Sequence, residues 1–552
     1  MTRLLISSFL LLILGALQSQ SLTPIQEKAI HTLVTDNVKK GSPGLAIGIV
    51  QQGKIIYEHY AGLANLAHEV PIDELTRFNI ASNGKQFTAL CILQLANTGK
   101  LNLADDIRTY LPDLYPTLTA PITIRHLLQH SSGIRDVYDL WALQGITWWK
   151  HTFDNDDALA LLIKQQELNF APGTEHLYSN SNYILLAQII KVVTGTDFID
   201  YANTLFDKLG MPHTSFVSSH MQVVPHKASP YANWQGWMEY PYLSDTHGDG
   251  ALFTTLQDQL RWETMVQTKI SKVFSAETIE TSQKAIANTA ISDYGFGLTF
   301  GQYRGLEYHY HEGSTGAWKA SFLRFPTENL AIVVMSNSGS INPFDLSRRC
   351  ADILISKDKL AKDRYPRRPD TLGPYIAPTA LLGTYRTKGG YFFRFVKQAE
   401  GLYMERYGRE SIQLEHEAGN LYHQVSDPDW KQAFTKDPIK GLQVTGFYPS
   451  HDPYTLTRIE VNWQDYNYTS INGDYLNEET GVRLTIEFQQ DDKYVILLNG
   501  EKLEGQLYAP DFLLVDGYKI QIVRDEDGIV PRLLVNSNRI QHLHFERITN
   551  NN

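Results

Sequence analysis

Between Lys357 and Pro378 the texture of this chain changes. Lys and Arg are frequent there, and Pro366, Pro369, Pro374 and Pro378 interrupt any helix, so the stretch reads as a linker. Before it, helical and strand patterns are mixed. After it, residues 379–552 show only short alternating runs broken by Gly, Asp and Asn, the pattern of an all-β region. A chain divided in this way is expected to hold two or three domains, since 552 residues exceed what one core usually supports. The expected division is a leader at 1–21, a mixed α/β (α+β) domain at 22–356, a linker at 357–378 and an all-β domain at 379–552.

In the mixed part, Leu45-Ala46-Ile47-Gly48-Ile49-Val50 and Ile55-Ile56-Tyr57 flank Gln51-Gln52-Gly53-Lys54, which reads as a β-hairpin. After Ala81 the period becomes helical: Phe87, Leu90, Cys91 and Leu95 recur at three- and four-residue steps, and Gly99 supplies a stop. Further helices are expected over 159–166 and 183–193. Strands return at 320–324 and 330–336, separated by Pro326-Thr327-Glu328-Asn329. Early strands, a helical middle and late strands imply one sheet closed from both ends of the domain and covered by helices.

The all-β part carries a trace of duplication. Gly383-Thr384-Tyr385 and Gly473-Asp474-Tyr475 each open a half, and 454–459 resembles 542–548. Two halves of about 80 to 90 residues with roughly four strands each are expected to close together into one eight-stranded barrel or sandwich.

Composition narrows the function classes. An apolar content of 43% with 20% charge is that of an ordinary globular protein. A net charge of −11, without any basic stripe, argues against a nucleic-acid partner. Arg3, the apolar run from Leu4 to Leu17 and the polar Gln18–Ser21 have the layout of a secretory signal peptide, so export is expected, with no stable membrane span after cleavage. Cys91 and Cys350 are the only cysteines, and a chain this large needs no disulfide staple; Cys91 reads as a small buried hydrophobe. Asn467-Tyr468-Thr469 is a glycosylation sequon, meaningful only in a eukaryotic host.

Three segments carry candidate chemistry. In Ser82-Asn83-Gly84-Lys85 a helical turn puts Lys85 on the same face as Ser82, and the helix start aims unpaired N–H groups at the serine. A serine hydroxyl needs a partner to take its proton. Tyr178-Ser179-Asn180 supplies a phenol; neither Tyr nor Lys is a good base alone at neutral pH, but each shifts the other towards usefulness when they are adjacent. His311-Glu312-Gly313-Ser314-Thr315-Gly316 precedes a strand, and its glycines permit close backbone approach. The N–H groups of Ser82 and Ser314 form a candidate oxyanion hole. His309 and His311 alternate as metal ligands do, yet no third ligand accompanies them, so no metal is expected. Asp105-Asp106 and Asp156-Asp157 read as helix-start carboxylates.

The order Ser-x-x-Lys, Tyr-x-Asn, His-x-Gly resembles the serine β-lactamase and penicillin-binding-protein superfamily, and within it the class C β-lactamase, D-aminopeptidase and esterase group. Flanking text agrees: Phe78-Asn79-Ile80-Ala81, Gln86-Phe87-Thr88-Ala89, Leu127-Leu128-Gln129-His130-Ser131-Ser132-Gly133 and Gly250-Ala251-Leu252-Phe253-Thr254-Thr255. The resemblance covers about residues 23–356. It implies an antiparallel sheet flanked by helices plus a helical lobe, the active site between them, and an appended lipocalin-like barrel. It also implies Ser82 as acylated nucleophile, Lys85 and Tyr178 as its proton-handling partners, and Asn180, His311, Gly313 and Ser314 as substrate-binding residues, with no cofactor. His311 stands where many relatives carry lysine, which weakens a carboxylate anchor and turns the expectation from β-lactams towards peptide, amide or ester substrates. Gly84 replaces the usual Ser or Thr and should loosen its helix by up to about 1 kcal/mol. The rival reading is a non-catalytic receptor or scaffold for cell-wall fragments on the same fold. Oligomeric state is not legible in the chain.

Overall fold

The structure, a computed structural model, describes residues 21–548 apart from 241, 289–290, 292, 362–365, 367, 399–400, 449–450 and 465. The expected leader lies almost wholly outside the described residues. Among those described, no helix is long and apolar enough to cross a membrane.

The hairpin Leu45–Gln51/Lys54–Ala61 does not stand alone. Its first strand pairs antiparallel with the late strand Leu330–Ser336, with Leu45 opposite Ser336 and Gln51 opposite Leu330. Trp318–Phe325, Leu306–Thr315, Leu298–Tyr303 and Tyr294–Gly295 continue the sheet outward, giving seven strands, all antiparallel. The two ends of the domain therefore meet in one sheet, as expected from the pattern.

Side-chain alternation sends the two faces of this sheet to different cores. Leu45, Ile47, Ile49, Ile332 and Val334 pack beneath the helices Pro24–Asn37 and Pro343–Leu354, through Ile30, Leu33, Leu346 and Cys350. Ala46, Val50, Phe322, Val333 and Met335 face the helical side, built on Lys85–Asn97, Asn180–Thr194 and Leu256–Thr268. Cys91 and Cys350 are both buried free thiols.

The all-β part departs from expectation in one respect. Each half forms eight strands, not four, and closes on itself, so there are two barrels: Gly383–Ile459 and Gly473–Arg547. Each opens after a 3₁₀ turn, Pro378–Leu381 or Tyr468–Ile471. The duplication is visible in the plug of each barrel. Tyr385 Oη donates to Leu381 O at 2.8 Å, and Tyr475 Oη donates to Ile471 O at 3.0 Å. Arg458 Nη1 donates to Ala380 O at 3.1 Å, and Arg547 Nη1 to Ser470 O at 3.2 Å. Gly383 and Gly473, with φ of 137° and 149°, leave room for those guanidinium groups; a Cβ at either would lie 3.1 Å from the arginine. The strands are short, and several pairs are joined by tight Gly or Asp turns, which is why pattern reading merged neighbouring strands into one.

Candidate active site

Ser82 sits at a built corner. The short strand Phe78–Asn79 pairs with Leu252–Thr254, then Ala81 takes a φ of 48°, a left-handed conformation costly for a residue with a Cβ. Asn79 Oδ1 accepts from Ala81 N at 2.9 Å and holds that conformation. The 3₁₀ turn Ala81–Gly84 follows and runs directly into the helix Lys85–Asn97. Gly84 thus precedes the α-helix, where the interior penalty expected for it does not apply in full, and a Cβ there would lie 3.2 Å from Leu252 Cβ. Asn83 Nδ2 donates to Ala320 O at 3.2 Å and ties the turn to the sheet.

Lys85 is fully buried. Its Nζ donates to Ser82 Oγ at 3.1 Å, Asn180 Oδ1 at 2.9 Å and Asp249 O at 2.6 Å. All three ammonium protons therefore have an acceptor, which compensates the burial of the charge. Asn180 begins the helix Asn180–Thr194, and its orientation is set from behind: its backbone N and Nδ2 donate to Asp136 Oδ2 at 2.6 and 3.0 Å. Asp136 is itself wholly buried and caps the helix Val137–Leu143.

The half-buried Tyr178 brings its ring to 5.0 Å from Lys85 Nζ and 4.3 Å from the His130 ring. His130 Nδ1 accepts from Ser179 N at 3.2 Å, which places its remaining proton on Nε2 and anchors the Tyr178–Asn180 segment. Burial, then the Lys85 charge, push the His130 pKa well below its ordinary value. His130 and Ala251 also have positive φ, so three non-glycine residues around the site share the left-handed conformation of Ala81. Asp249 is raised above the ordinary carboxylate range by burial, with Lys85 opposing the rise.

The third segment lies on the strand Leu306–Thr315. Past Tyr310 this strand loses its partner Leu298–Tyr303, and one edge of 311–315 runs beside the Ala81–Gly84 turn. Gly313 is required by that approach: a Cβ there would lie 2.2 Å from Ile80 O. His311 is 4% exposed; its Nδ1 donates to Glu312 O at 2.9 Å, and its Nε2 accepts from Tyr294 Oη at 3.0 Å. Burial, then Lys85, push its pKa down to about 3. His311 is thus a neutral imidazole with both nitrogens engaged behind the site.

In front of these groups opens a cleft of about 650 Å³. Ser82, Asn180 and Ser314 form one side, and Trp141, Trp148 and Tyr242 an aromatic wall. Asn538 and Arg539, from the second barrel, complete the rim. The structure therefore brings Ser82, Lys85, Tyr178 and Asn180 into one cluster, with Gly313 and Ser314 on the adjoining strand. Four residues escaped the sequence reading as functional candidates: His130, Asp136, Asp249 and Arg539. His130 lies within a flanking segment that did stand out, and Asp249 directly precedes another. Arg539 had no local signal, being 403 residues from the Asp136 carboxylate it meets.

Comparison with known proteins bears on the family and the fold. The family model described as Beta-lactamase matches residues 27–356. The chain belongs to the beta-lactamase family. Among curated relatives, Protein flp of Staphylococcus aureus (strain MRSA252) is 31% identical over 333 residues, 58% of this chain and 64% of that protein. A D-aminopeptidase of Cereibacter sphaeroides (strain ATCC 17029 / ATH 2.4.9) is 29% identical over 310 residues, 54% of this chain and 58% of the relative. The chain thus spans less than two thirds of the length of these relatives. Among solved structures, the octameric penicillin-binding protein homologue from Pyrococcus abyssi superposes with a TM-score of 0.55 at 22% identity, over 78% of this chain and 99% of that one. The D-amino acid amidase from Ochrobactrum anthropi SV3 gives 0.51 at 19% identity, over 60% and 98%. At such identities the likeness is one of fold.

Proposed function

We propose that this chain is a serine hydrolase that works through an acyl-enzyme at Ser82 on peptide, amide or ester substrates, with D-amino-acid peptides or amides the favoured class. The observation that carries the reading is Lys85, fully buried and donating to Ser82 Oγ at 3.1 Å while two further acceptors hold it. A buried ammonium with every proton engaged favours the ionised side of Ser82 and leaves proton removal to Tyr178. Tyr178 takes the Ser82 proton as Oγ bonds to the substrate carbonyl carbon. It returns that proton to the departing amine or alkoxide as the acyl–nitrogen or acyl–oxygen bond breaks. Water then attacks the ester by the same route and frees Ser82. The backbone N–H groups of Ser82 and Ser314 receive the oxyanion, and Asn180 binds the substrate amide. His311 and Gly313 shape the site, one behind Tyr178 and the other against the nucleophile turn. The D-aminopeptidase relative and the amidase neighbour support the substrate class. The apolar run near the N-terminus supports export.

The test is intact mass after incubation with a fluorophosphonate and, separately, a penicillin, beside Ser82→Ala. A serine-dependent adduct is expected with the fluorophosphonate, and the penicillin sample reports whether a β-lactam is still accepted. A folded native protein left unmodified by both would overturn the hydrolase reading in favour of a non-catalytic receptor on the same fold.

A further inference from the structure

We propose that the cavity where the first barrel meets the second is a binding site for an anionic amphiphile, a small molecule with an apolar chain or ring and a carboxylate head. The cavity holds about 820 Å³, more than the cleft beside Ser82 and within the range of small-molecule sites.

The middle of the first barrel is filled by Tyr385, Phe395, Met404 and Phe434, with the Phe395 ring 5.0 Å from both Tyr385 and Phe434. Strand alternation places Phe393, Arg406 and Tyr454 on the same inward face as Phe395, Met404 and Leu456, each two residues along its strand. With Trp430 and Tyr448 these three wall one end of the barrel interior. The second barrel closes over that end with Leu514 and Val515 from the strand Phe512–Val515, and Tyr518 and Lys519 from Tyr518–Val523. Neither barrel makes the cavity alone.

The chain carries a net charge of −11, yet Arg406, Arg409 and Lys519 line this cavity without any Asp or Glu. Asp516 and Glu504, whose charges reach Tyr407, stand outside the wall. Among the described residues none of the three cations has a carboxylate partner. Arg406 is the most telling of them. Its guanidinium lies 6.0 Å from the centre of the Phe393 ring, and its buried Nε has no hydrogen-bond partner. A cation turned into a barrel end without an acceptor is costly unless an anion meets it there. Lys519 Nζ donates to Gly389 O at 2.6 Å and stands 4.3 Å from the centre of the Tyr391 ring, which leaves two ammonium protons for a ligand. Arg409 is exposed at the rim, in the turn 407–411.

The aromatic wall offers ring faces rather than hydroxyls. Tyr454 Oη donates to Tyr448 Oη at 3.0 Å, and Tyr448 Oη accepts from Gln432 Nε2 at 3.3 Å. Tyr407 Oη donates to Glu504 O at 2.6 Å, and Tyr391 Oη to Asn538 Oδ1 at 3.2 Å. A sugar needs donors and acceptors that these residues have already committed to the protein. An apolar body against the rings with a carboxylate on the cations uses what is left. Asn538 lines both this cavity and the cleft beside Ser82, so a ligand here lies against the wall of that cleft without entering it.

The experiment is isothermal titration of the full chain with dodecanoate below its micelle concentration, beside dodecyltrimethylammonium and cellobiose. Dodecanoate should bind one to one, and the cationic amphiphile and the sugar should not. Arg406→Gln should weaken dodecanoate by about tenfold or more, and Arg409→Gln, at the rim, by about threefold. If thermal unfolding shows that Arg406→Gln does not fold, Lys519→Gln takes its place with Arg409→Gln. Absence of dodecanoate binding, equal binding of dodecyltrimethylammonium, or an affinity that the folded glutamine variants leave unchanged overturns the proposal. Binding of cellobiose in place of dodecanoate overturns it as well, by making the site one for saccharides. None of these outcomes depends on the chemistry at Ser82.

Discussion

The two C-terminal barrels are near copies in build and unlike in what they touch. Both wind eight antiparallel strands from a 3₁₀ turn, a glycine of positive φ and a buried tyrosine that bonds back four residues. The second barrel packs on the helical lobe. Its Glu479 meets buried Arg135 at 2.7 Å, Asn499 Nδ2 bonds Leu143 O, and Arg539 reaches the cleft. Its apolar core is continuous with that of the lobe, whereas the core of the first barrel is a cluster of its own. The first barrel docks instead on the second, through Arg394 to Asp492 at 3.0 Å and through Gly389 O, which accepts from Lys519 Nζ. The hairpin that carries Glu479 in one barrel carries Gly389 in the other. A shared scaffold has been given two addresses by its loops, and only one of those addresses is the cleft beside Ser82.

That asymmetry can be broken most severely at Glu479. Arg135 is 1% exposed at its side chain, so Glu479→Ala leaves a buried guanidinium short of its main partner and should cost about 3 kcal/mol. Urea unfolding of the full chain measures it, and an unchanged midpoint would show that the second barrel is not anchored there.

Acid should separate the beta-lactamase-like half from the barrels with an effect of similar size. Native His311 stays neutral down to about pH 3, but in the unfolded chain it titrates near its ordinary 6.5. Between those values the unfolded chain binds more protons, so stability falls as pH falls through that window, by about 3 kcal/mol at pH 4. His311→Gln should flatten the dependence, read from denaturation midpoints at pH 7 and pH 4.

The two plugs offer a finer comparison. Tyr385→Phe and Tyr475→Phe each orphan a carbonyl in an equivalent place and should cost about 1 kcal/mol apiece. Clearly unequal losses in calorimetry would show that the copies have diverged in their packing. The smallest change is expected at Glu417, whose partner Lys431 lies on the wall of the first barrel. Glu417→Ala should alter stability by less than about 1 kcal/mol in the same scans.

Local pattern and local chemistry were enough for much of this molecule. Ser82 and Lys85 share a turn, Tyr178 precedes a helix that Asn180 opens, and the alternation of 45–50 and 330–336 is readable because strand faces are set by neighbours two residues apart. The duplication was legible from Gly383-Thr384-Tyr385 and Gly473-Asp474-Tyr475, since the same plug makes the same local demands twice. Strand number was not: a turn of two or three residues inside an alternating run leaves the period almost unbroken, so each half read as four strands where it has eight. Nor did the sequence alone reveal that His311 is buried, because burial depends on what packs over a strand rather than on the strand itself. The cluster of Lys85, Asp136, Asp249 and Arg539 is joined across hundreds of residues. Propensity and period act over a few residues, while the field at Tyr178 is a sum over whatever the fold brings near it. What the chain determined by itself was which residues could do the chemistry; which charges surround them was decided only when a distant barrel loop was folded against the cleft.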